Sequence, residues 1–238
     1  MLANNNKMII NKLAKNSVKS NKKQYGILFF TIVLSAFMLF CVFTIGLTYL
    51  DSSRLQNTRL NGAEYDITTM NGFTSKQVKS LQSNKNIQNV GMESYAGFIK
   101  SSEFDNTVEI GLLWCDETFW NNLMSPARTK LDGHYPQNKN ELMVTKDILK
   151  ACGNENLSVG DSIVLTYENN TGVHTDKFVI SGIWDGYGDK SAGFVSKNFY
   201  DETGYDLKND GILCIKLNRN YVLPTTIQSL EKSLNFSD

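Results

Sequence analysis

The chain has 238 residues with 24 basic and 24 acidic side chains, so its formal net charge is zero. That balance conceals a segregation: the first 24 residues hold six lysines and no acid, which leaves 18 basic against 24 acidic residues downstream, a net charge of −6. Neither part reads as a nucleic-acid binder, because acidic surfaces do not attract phosphate backbones.

Residues 1–24 carry Lys7, Lys12, Lys15, Lys19, Lys22 and Lys23. At about 100° per residue, Ile9, Ile10, Leu13, Ala14 and Val18 fall on one side of a helix, and Lys12, Lys15, Lys19, Lys22 and Lys23 on the other; Met8 and, at the start of the segment, Lys7 break the division. The segment reads as a basic amphipathic helix at the cytoplasmic membrane interface, apolar face in lipid and lysines toward anionic headgroups. The alternative is a disordered basic tail that serves only topology.

Residues 25–49, from Tyr25 to Tyr49, contain no Asp, Glu, Lys, Arg, His or Pro. At about 1.5 Å per residue this stretch exceeds the roughly 30 Å hydrocarbon core of a bilayer, and a tyrosine stands at each end where headgroups lie. One transmembrane helix is expected, with its N-terminus cytoplasmic because the lysines flank that end. A cleaved secretory signal has an apolar region of about 7–15 residues and a small-x-small cleavage site, and neither is present.

Residues 50–238 are expected outside the cytoplasm, in an α+β domain with a mixed or antiparallel sheet. Tyr65–Met70 reads as a strand, followed by a helix capped by Thr74 and running to about Ser83, with Val78 and Leu81 on one face. Ile87–Lys100 and Val108–Trp114 read as strands and Asp116–Met124 as a short helix carrying Phe119 and Trp120. Glu141–Thr145 is a brief apolar strand leading into a helix over Lys146–Ala151, ended by Gly153. Ser162–Tyr167 and Lys177–Trp184 pair around an Asn169–Gly172 turn. Phe194–Ser196 and Ile212–Leu217 are further strands, and Thr225–Leu234 is a last amphipathic helix after Pro224.

Chemistry is sparse. There is no GxxxxGK[ST], GxGxxG or GxSxG element, and His134 and His174 lack partners at metal-ligand spacing and read as solvated loop residues. No catalytic, cofactor-binding or metal-binding residue is assigned, and no cofactor. Asp116-Glu117 and Asp201-Glu202 read as solvated loop charges. Cys41 lies in the span; Cys115, Cys152 and Cys214 lie beyond it, so at most one disulfide forms among them, and three small buried apolar side chains are the equal alternative. A sortase-like transpeptidase would use Cys214 as thiolate nucleophile with a histidine and Arg219 at the oxyanion, but GILCIKLNR lacks the TLxTC of that family.

A resemblance organises the whole. LAKNSVKSNKKQYGILFFTIVLSAFML resembles the start of an FtsX-like, MacB-type ABC transporter permease, a basic stretch running straight into a first span. LDGHYPQNKNELMVTKDILKACG is similar to the family's Gly-x-x-Pro, Asn-Glu, short-strand element, here Gly133, Pro136, Asn140, Glu141 and Leu142–Val144. SVGDSIVL (158–165), FVISGIW (178–184) and GFVSKNFY (193–200) resemble the strand segments that come after it. From the residues alone, Gly133 and Pro136 shape a tight connection, Glu141 accepts nearby backbone N–H groups, Leu142 and Val144 pack inward, and Gly160-Asp161 turns the chain before Ser162. All are scaffold positions.

The resemblance implies a MacB-like exterior core domain and no enzymatic activity. It implies a separate cytoplasmic ABC ATPase subunit as partner, whose motion the chain passes to the exterior domain to export or release a peptide, antibiotic or lipid-linked substrate. Such permeases continue into at least three more spans, absent from these 238 residues, so the chain is expected to be the N-terminal part of a subunit in the cell membrane. It would be completed by further transmembrane segments or a second permease half, with the lipid bilayer around it and no nucleic-acid partner. The rival is a stand-alone membrane-anchored binding or sensor protein.

Overall fold

A computed structural model describes residues 6–100, 110–187, 192–218, 228 and 230. The chain divides into two compact units, Met1–Leu55 and Gln56–Asp238. The first is helical throughout its described length. Helix α1 (Asn6–Ser20) gives way at Asn21 to α2 (Lys22–Asn61), a single helix of 40 residues, about 60 Å at 1.5 Å per residue. The basic segment is thus a helix, not an irregular tail. Within α2 the Thr31 and Thr48 hydroxyls donate to the carbonyls of Ile27 and Thr44 at 2.9 and 2.8 Å, which satisfies them without water. No part of its most apolar 18-residue window is buried, as it would be in the core helix of a soluble domain.

The second α2 boundary departs from expectation. The helix does not stop at Tyr49 but runs on to Asn61, because DSSRLQNTRLN contains neither Pro nor Gly. Gly62 ends it with φ +76°, the left-handed conformation that glycine adopts without steric cost.

The second unit is α+β with a mixed sheet of nine strands: β1 (Ile67–Thr69), β2 (Ile87–Lys100), β3 (Ile110–Cys115), β4 (Arg128–Gly133), β5 (Glu141–Thr145), β6 (Ser162–Asn169), β7 (Gly172–Gly186), β8 (Gly193–Val195) and β9 (Ile212–Leu217). Their order is β1-β9-β2-β3-β8-β5-β7-β4, and β6 pairs with both β2 and β7. Six strands therefore close a ring, β2-β3-β8-β5-β7-β6, in which β3–β8 and β5–β7 are parallel and the other neighbours antiparallel. All six contribute to one buried cluster, including Ile99, Leu112, Leu142, Leu165, Phe178 and Val195, so the ring is a packed barrel. β2 keeps β3 along one edge across the bulge at Gly97, while its other edge passes from β9 to β6; a Cβ at Gly97 would stand 2.8 Å from the Glu168 carbonyl oxygen.

Helices close the barrel. Ile148 and Leu149 of α4 (Lys146–Ala151) and Phe199 and Tyr200 of α5 (Lys197–Tyr200) join its core. On the far side of β9, Val78 and Leu81 of α3 (Ser75–Gln82) pack on Val90, Leu213 and Ile215. The capping box is complete: Gln77 N–H donates to Thr74 Oγ1 at 3.3 Å and Thr74 N–H to Gln77 Oε1 at 2.8 Å.

Several expectations are corrected. Arg128–Gly133, over most of which no element is expected, is strand β4: its residues are mostly exposed and it exists through pairing with β7. Strand β7 starts at Gly172, so His174 is a strand residue, not a loop residue; it faces Tyr167, with ring centroids 5.6 Å apart, and Nε2 lies 2.8 Å from Thr171 Oγ1. Lys197–Tyr200 is helix α5, capped by Ser196, which accepts from Phe199 N–H, and Leu207–Asp210 is a further helix, α6. The expected helix Asp116–Met124 is mainly a π-helix over Phe119–Leu123. Met143 is as fully buried as Leu142 and Val144, because β5 is central and covered on both faces. Strand β1 is shorter than Tyr65–Met70, and Val108 lies outside the described residues. Of Thr225–Leu234 only Gln228 and Leu230 are described, both helical, with Leu230 buried against the α3 cluster; the rest of that expected helix lies outside the described residues.

The Gly133–Tyr200 block is the barrel's scaffold. Glu141 Oε2 accepts from Gln137 N–H (2.7 Å) and Asn138 N–H (3.1 Å), and Oε1 from the Asn138 amide (2.7 Å). Gly160 N–H donates to Ile180 O and Ile180 N–H to Asp161 O, at 2.8 and 2.9 Å, knitting the turn before β6 to β7. Partial desolvation opposes ionisation of Glu141, but those bonds outweigh it and hold its carboxyl below the usual glutamate range. A carboxyl depressed on folding stabilises above its unfolded pKa, and that contribution is lost as pH falls through the folded value. Comparing E141Q with the parent by chemical unfolding is therefore expected to show a stability gap at pH 7 that narrows in acid. A gap that stays constant down to pH 3 would rule out the ionised carboxylate as its source.

Candidate functional site

The candidate site is the stretch where α2 hands over to the barrel, all of it inside the second unit. In the last turn of α2, Thr58 is buried and the Arg59 guanidinium stacks on the Tyr187 ring at 3.9 Å, with Nη2 donating to the Tyr187 hydroxyl at 3.3 Å. After Gly62, Ala63 enters a buried cluster with Phe119, Trp120, Leu123 and Trp184. Glu64 N–H donates to Leu123 O at 2.7 Å, and its carboxylate pairs with Lys216 of β9. Asp66 N–H donates to Ile215 O (2.9 Å) while Asp66 Oδ2 accepts from Leu217 N–H (2.8 Å). Within a few residues of its end, the helix is tied to β9, to β7 and to the π-helical segment.

That segment is itself anchored. Asp116 Oδ1 accepts from Met92 N–H and Phe119 N–H, both at 2.9 Å, joining β2 to the start of the turn. Asp116 is consequently a half-buried structural acceptor, not a solvated loop charge; desolvation raises its pKa against the lowering effect of those N–H groups. Gly91 leaves room for the π-helix, since a Cβ there would stand 2.7 Å from Leu123 and 2.9 Å from Phe119. Arg128 stacks on Trp120 at 3.9 Å, and burial lowers its pKa. Arg59 Nε and Arg128 Nη1 are buried without an acceptor, so an aromatic face stands in for one at both guanidiniums. Sequence reasoning missed this junction. The available signal was the absence of any breaker between Tyr49 and Gly62.

The residues weighed for chemistry are not brought together. Cys214 is buried on β9 with Sγ 3.9 Å from Thr68 Oγ1; burial, then the nearby Glu93 charge, push its thiol up to about 12, which opposes a thiolate nucleophile. Arg219 lies outside the described residues. His134 is exposed, with Nδ1 3.0 Å from Tyr135 O. Asp201 and Glu202 are exposed and pair with Lys197 and Lys139. Among the described residues no group of three His, Cys, Asp or Glu is arranged to hold a metal.

No disulfide joins the four cysteines. Cys115 on β3 and Cys214 on β9 flank β2 on opposite sides, at Glu93 and Gly91, so their backbones are about 9 Å apart or more, beyond the roughly 7 Å a disulfide tolerates. Burial pushes the Cys115 thiol up as well. Alkylation of the folded chain at pH 8 is expected to leave Cys115 and Cys214 unmodified until denaturant is added, read by peptide mass spectrometry. Rapid labelling of either without denaturant would contradict their burial.

In the first unit, a groove of about 370 Å³ lies at the N-terminal end of α2, lined by Gln24, Tyr25, Ile27, Leu28 and Thr31.

No family model and no curated protein matches the chain. Among solved structures it is similar to the periplasmic region of MacB from Actinobacillus actinomycetemcomitans, with 13% identity and a TM-score of 0.47 over 71% of this chain and 81% of that one. It is also similar to the extracellular domain of the noncanonic ABC-type transporter YknZ from Gram-positive bacteria, with 12% identity and a TM-score of 0.44 over 69% of this chain and 83% of that one.

Proposed function

We propose that the chain is the N-terminal part of an ABC transporter permease subunit of the FtsX- and MacB-like kind. Helix α2 spans the cell membrane with the lysine-rich end cytoplasmic, and the barrel domain lies outside. A separate cytoplasmic ATPase is the partner, and further spans or a second permease half complete the membrane part. The chain itself does no chemistry in this reading. It passes nucleotide-driven movement outward, for export or release of a peptide, antibiotic or lipid-linked substrate.

The observation that supports this is the continuity of α2. One helix runs from Lys22 through the apolar stretch to Asn61, and the residues at its end are held by Tyr187, Leu123, Lys216 and Ile215. A simple anchor needs no such fastening; a flexible linker would serve. A helix that leads into a buried, hydrogen-bonded junction of the second unit is the kind of connection this reading requires.

The test is crosslinking in native membranes with the product of the whole gene, followed by purification through it. An ATP-binding-cassette subunit is expected in the crosslinked product. Its absence, with the bait intact, would overturn the transporter reading.

A further inference from the structure

We infer that the outer edge of β4 is a docking surface for a second copy of this chain, paired antiparallel about a two-fold axis through Leu131. Strand β4 ends the strand order, and among the described residues it pairs with β7 alone. His134 N–H donates to Ser181 O at 2.9 Å, one step beyond the Gly133–Gly182 pair. Backbone groups in an antiparallel ladder alternate sides, so Asp132 and Lys130 turn theirs toward β7 and Leu131 turns its N–H and C=O outward. Thr129 through Gly133 are all exposed, Leu131 by 43%. The edge thus offers an outward donor and acceptor beside a large apolar side chain, the condition under which strand edges associate.

The charges decide what fits that edge. Lys130 and Asp132 flank Leu131 on the other face of the strand, and neither enters an ion pair among the described residues. Asp185, opposite Lys130 on β7, accepts from Gly186 N–H at 2.9 Å. When a second β4 runs antiparallel with Leu131 opposite Leu131, each Lys130 stands across from Asp132 of the other copy, in the closely spaced pairs whose Cα atoms are about 4.5 Å apart. Both ion pairs form at once, the two Leu131 backbones exchange their hydrogen bonds, and their side chains meet on the face that also holds Trp184. Centring the pairing on Lys130 or on Asp132 sets like charges against each other, and so does a parallel, in-register arrangement. Lysine on an edge ordinarily keeps other strands away. Here the acid two residues on selects one partner, one direction and one register. The irregularity at Thr129 and the turn at Gly133, φ +85°, confine the contact to this short core. So small a contact holds only at high local concentration, which two chains in one membrane supply. In that respect alone the pairing depends on α2 being a span.

The experiment uses the full chain with C41A and C152A, since Cys115 and Cys214 are buried, carrying either L131C or V173C. It is placed at low density in liposomes of phosphatidylethanolamine and phosphatidylglycerol. Val173 is the more exposed position, at 64%, and lies at the start of β7, so it reports chance encounters. Copper-phenanthroline oxidation and a non-reducing gel read the dimer. Self-paired Leu131 Cα atoms stand about 5.5 Å apart, inside the disulfide range. L131C is therefore expected to give about tenfold more dimer than V173C. K130D should bring L131C down to the V173C level, and K130D with D132K should restore it, because the exchanged charges match again. Equal dimer from L131C and V173C overturns the proposal, as does an L131C yield indifferent to K130D or not regained with D132K. Should K130D shift the tryptophan emission of the folded chain, D132K alone, which also sets like charges face to face, carries the same expectation. A carbonate wash that strips the chain from the liposomes counts against the span and not the edge; the same yields are then read on the concentrated chain in solution.

Discussion

Replacing Phe178 with alanine is expected to destabilise the barrel domain by about 3–5 kcal/mol, the range for removing a fully buried phenylalanine. Phe178 is 1% exposed on β7, inside the six-strand ring, with its ring centroid 6.0 Å from that of Tyr167 on β6 and 5.5 Å from that of Phe199 on α5. The space it leaves does not readily close, because closed strands cannot slide together without breaking their ladders. Val164 lies on the same hairpin but is 61% exposed, and V164A is expected to change stability by no more than about 0.5 kcal/mol. Urea unfolding of the detergent-solubilised chain, followed through the tryptophans of the second unit, measures both. Similar losses for the two variants would mean that β6 and β7 do not wall a packed barrel.

The largest functional effect is expected from L55P. Leu55 is interior to α2, between the apolar stretch and the turn that holds Thr58 and Arg59. Proline there removes a backbone donor and clashes with the preceding turn, at a cost of about 3 kcal/mol or more, relieved by kinking or breaking the helix. Under the transporter reading, ATP-dependent export should fall by about tenfold or more while the ATPase still copurifies. The barrel should unfold at the parental denaturant concentration, since Leu55 lies outside the second unit and Thr58 is the buried residue of α2. L55A keeps the helix and should export at nearly the parental level. Parental export by L55P would show that α2 is an anchor and not a transmitting element.

The elements legible in the sequence are those written in local pattern. An uncharged run of 25 residues can only be stable as a helix out of water, and the lysines on one flank carry the positive-inside signal for its orientation. Thr74 with Gln77 writes a capping box, and Glu141–Thr145 followed by Lys146–Ala151 writes a strand passing into a capped helix. Ile87–Lys100 and Ile212–Leu217 carry enough apolar residues to declare themselves. Glu141 as an acceptor for nearby backbone N–H groups was readable because its partners are only three and four residues away.

What stayed hidden depends on partners distant in the chain. Strand β4 has one large apolar residue, Leu131, and becomes a strand only because the edge of β7 is there to pair with it. His174 and its neighbours look like loop until β6 supplies their ladder, and Asp116 looks solvated until Met92 N–H, 24 residues earlier, is folded against it. Closure of the ring through β6, the π-helix over Gly91 and the fastening of Arg59 to Tyr187 and of Glu64 to Lys216 likewise join residues far apart, whose pairing has no periodic signature. By itself, then, the sequence determined the basic helix, the long apolar helix and the α+β character of the domain beyond them, because hydrophobic periodicity and charge act on neighbours. Only the tertiary structure decided that the strands close into a barrel and that Thr58 and Ala63 are buried against it, because those outcomes rest on contacts between elements and not on the preference of any one.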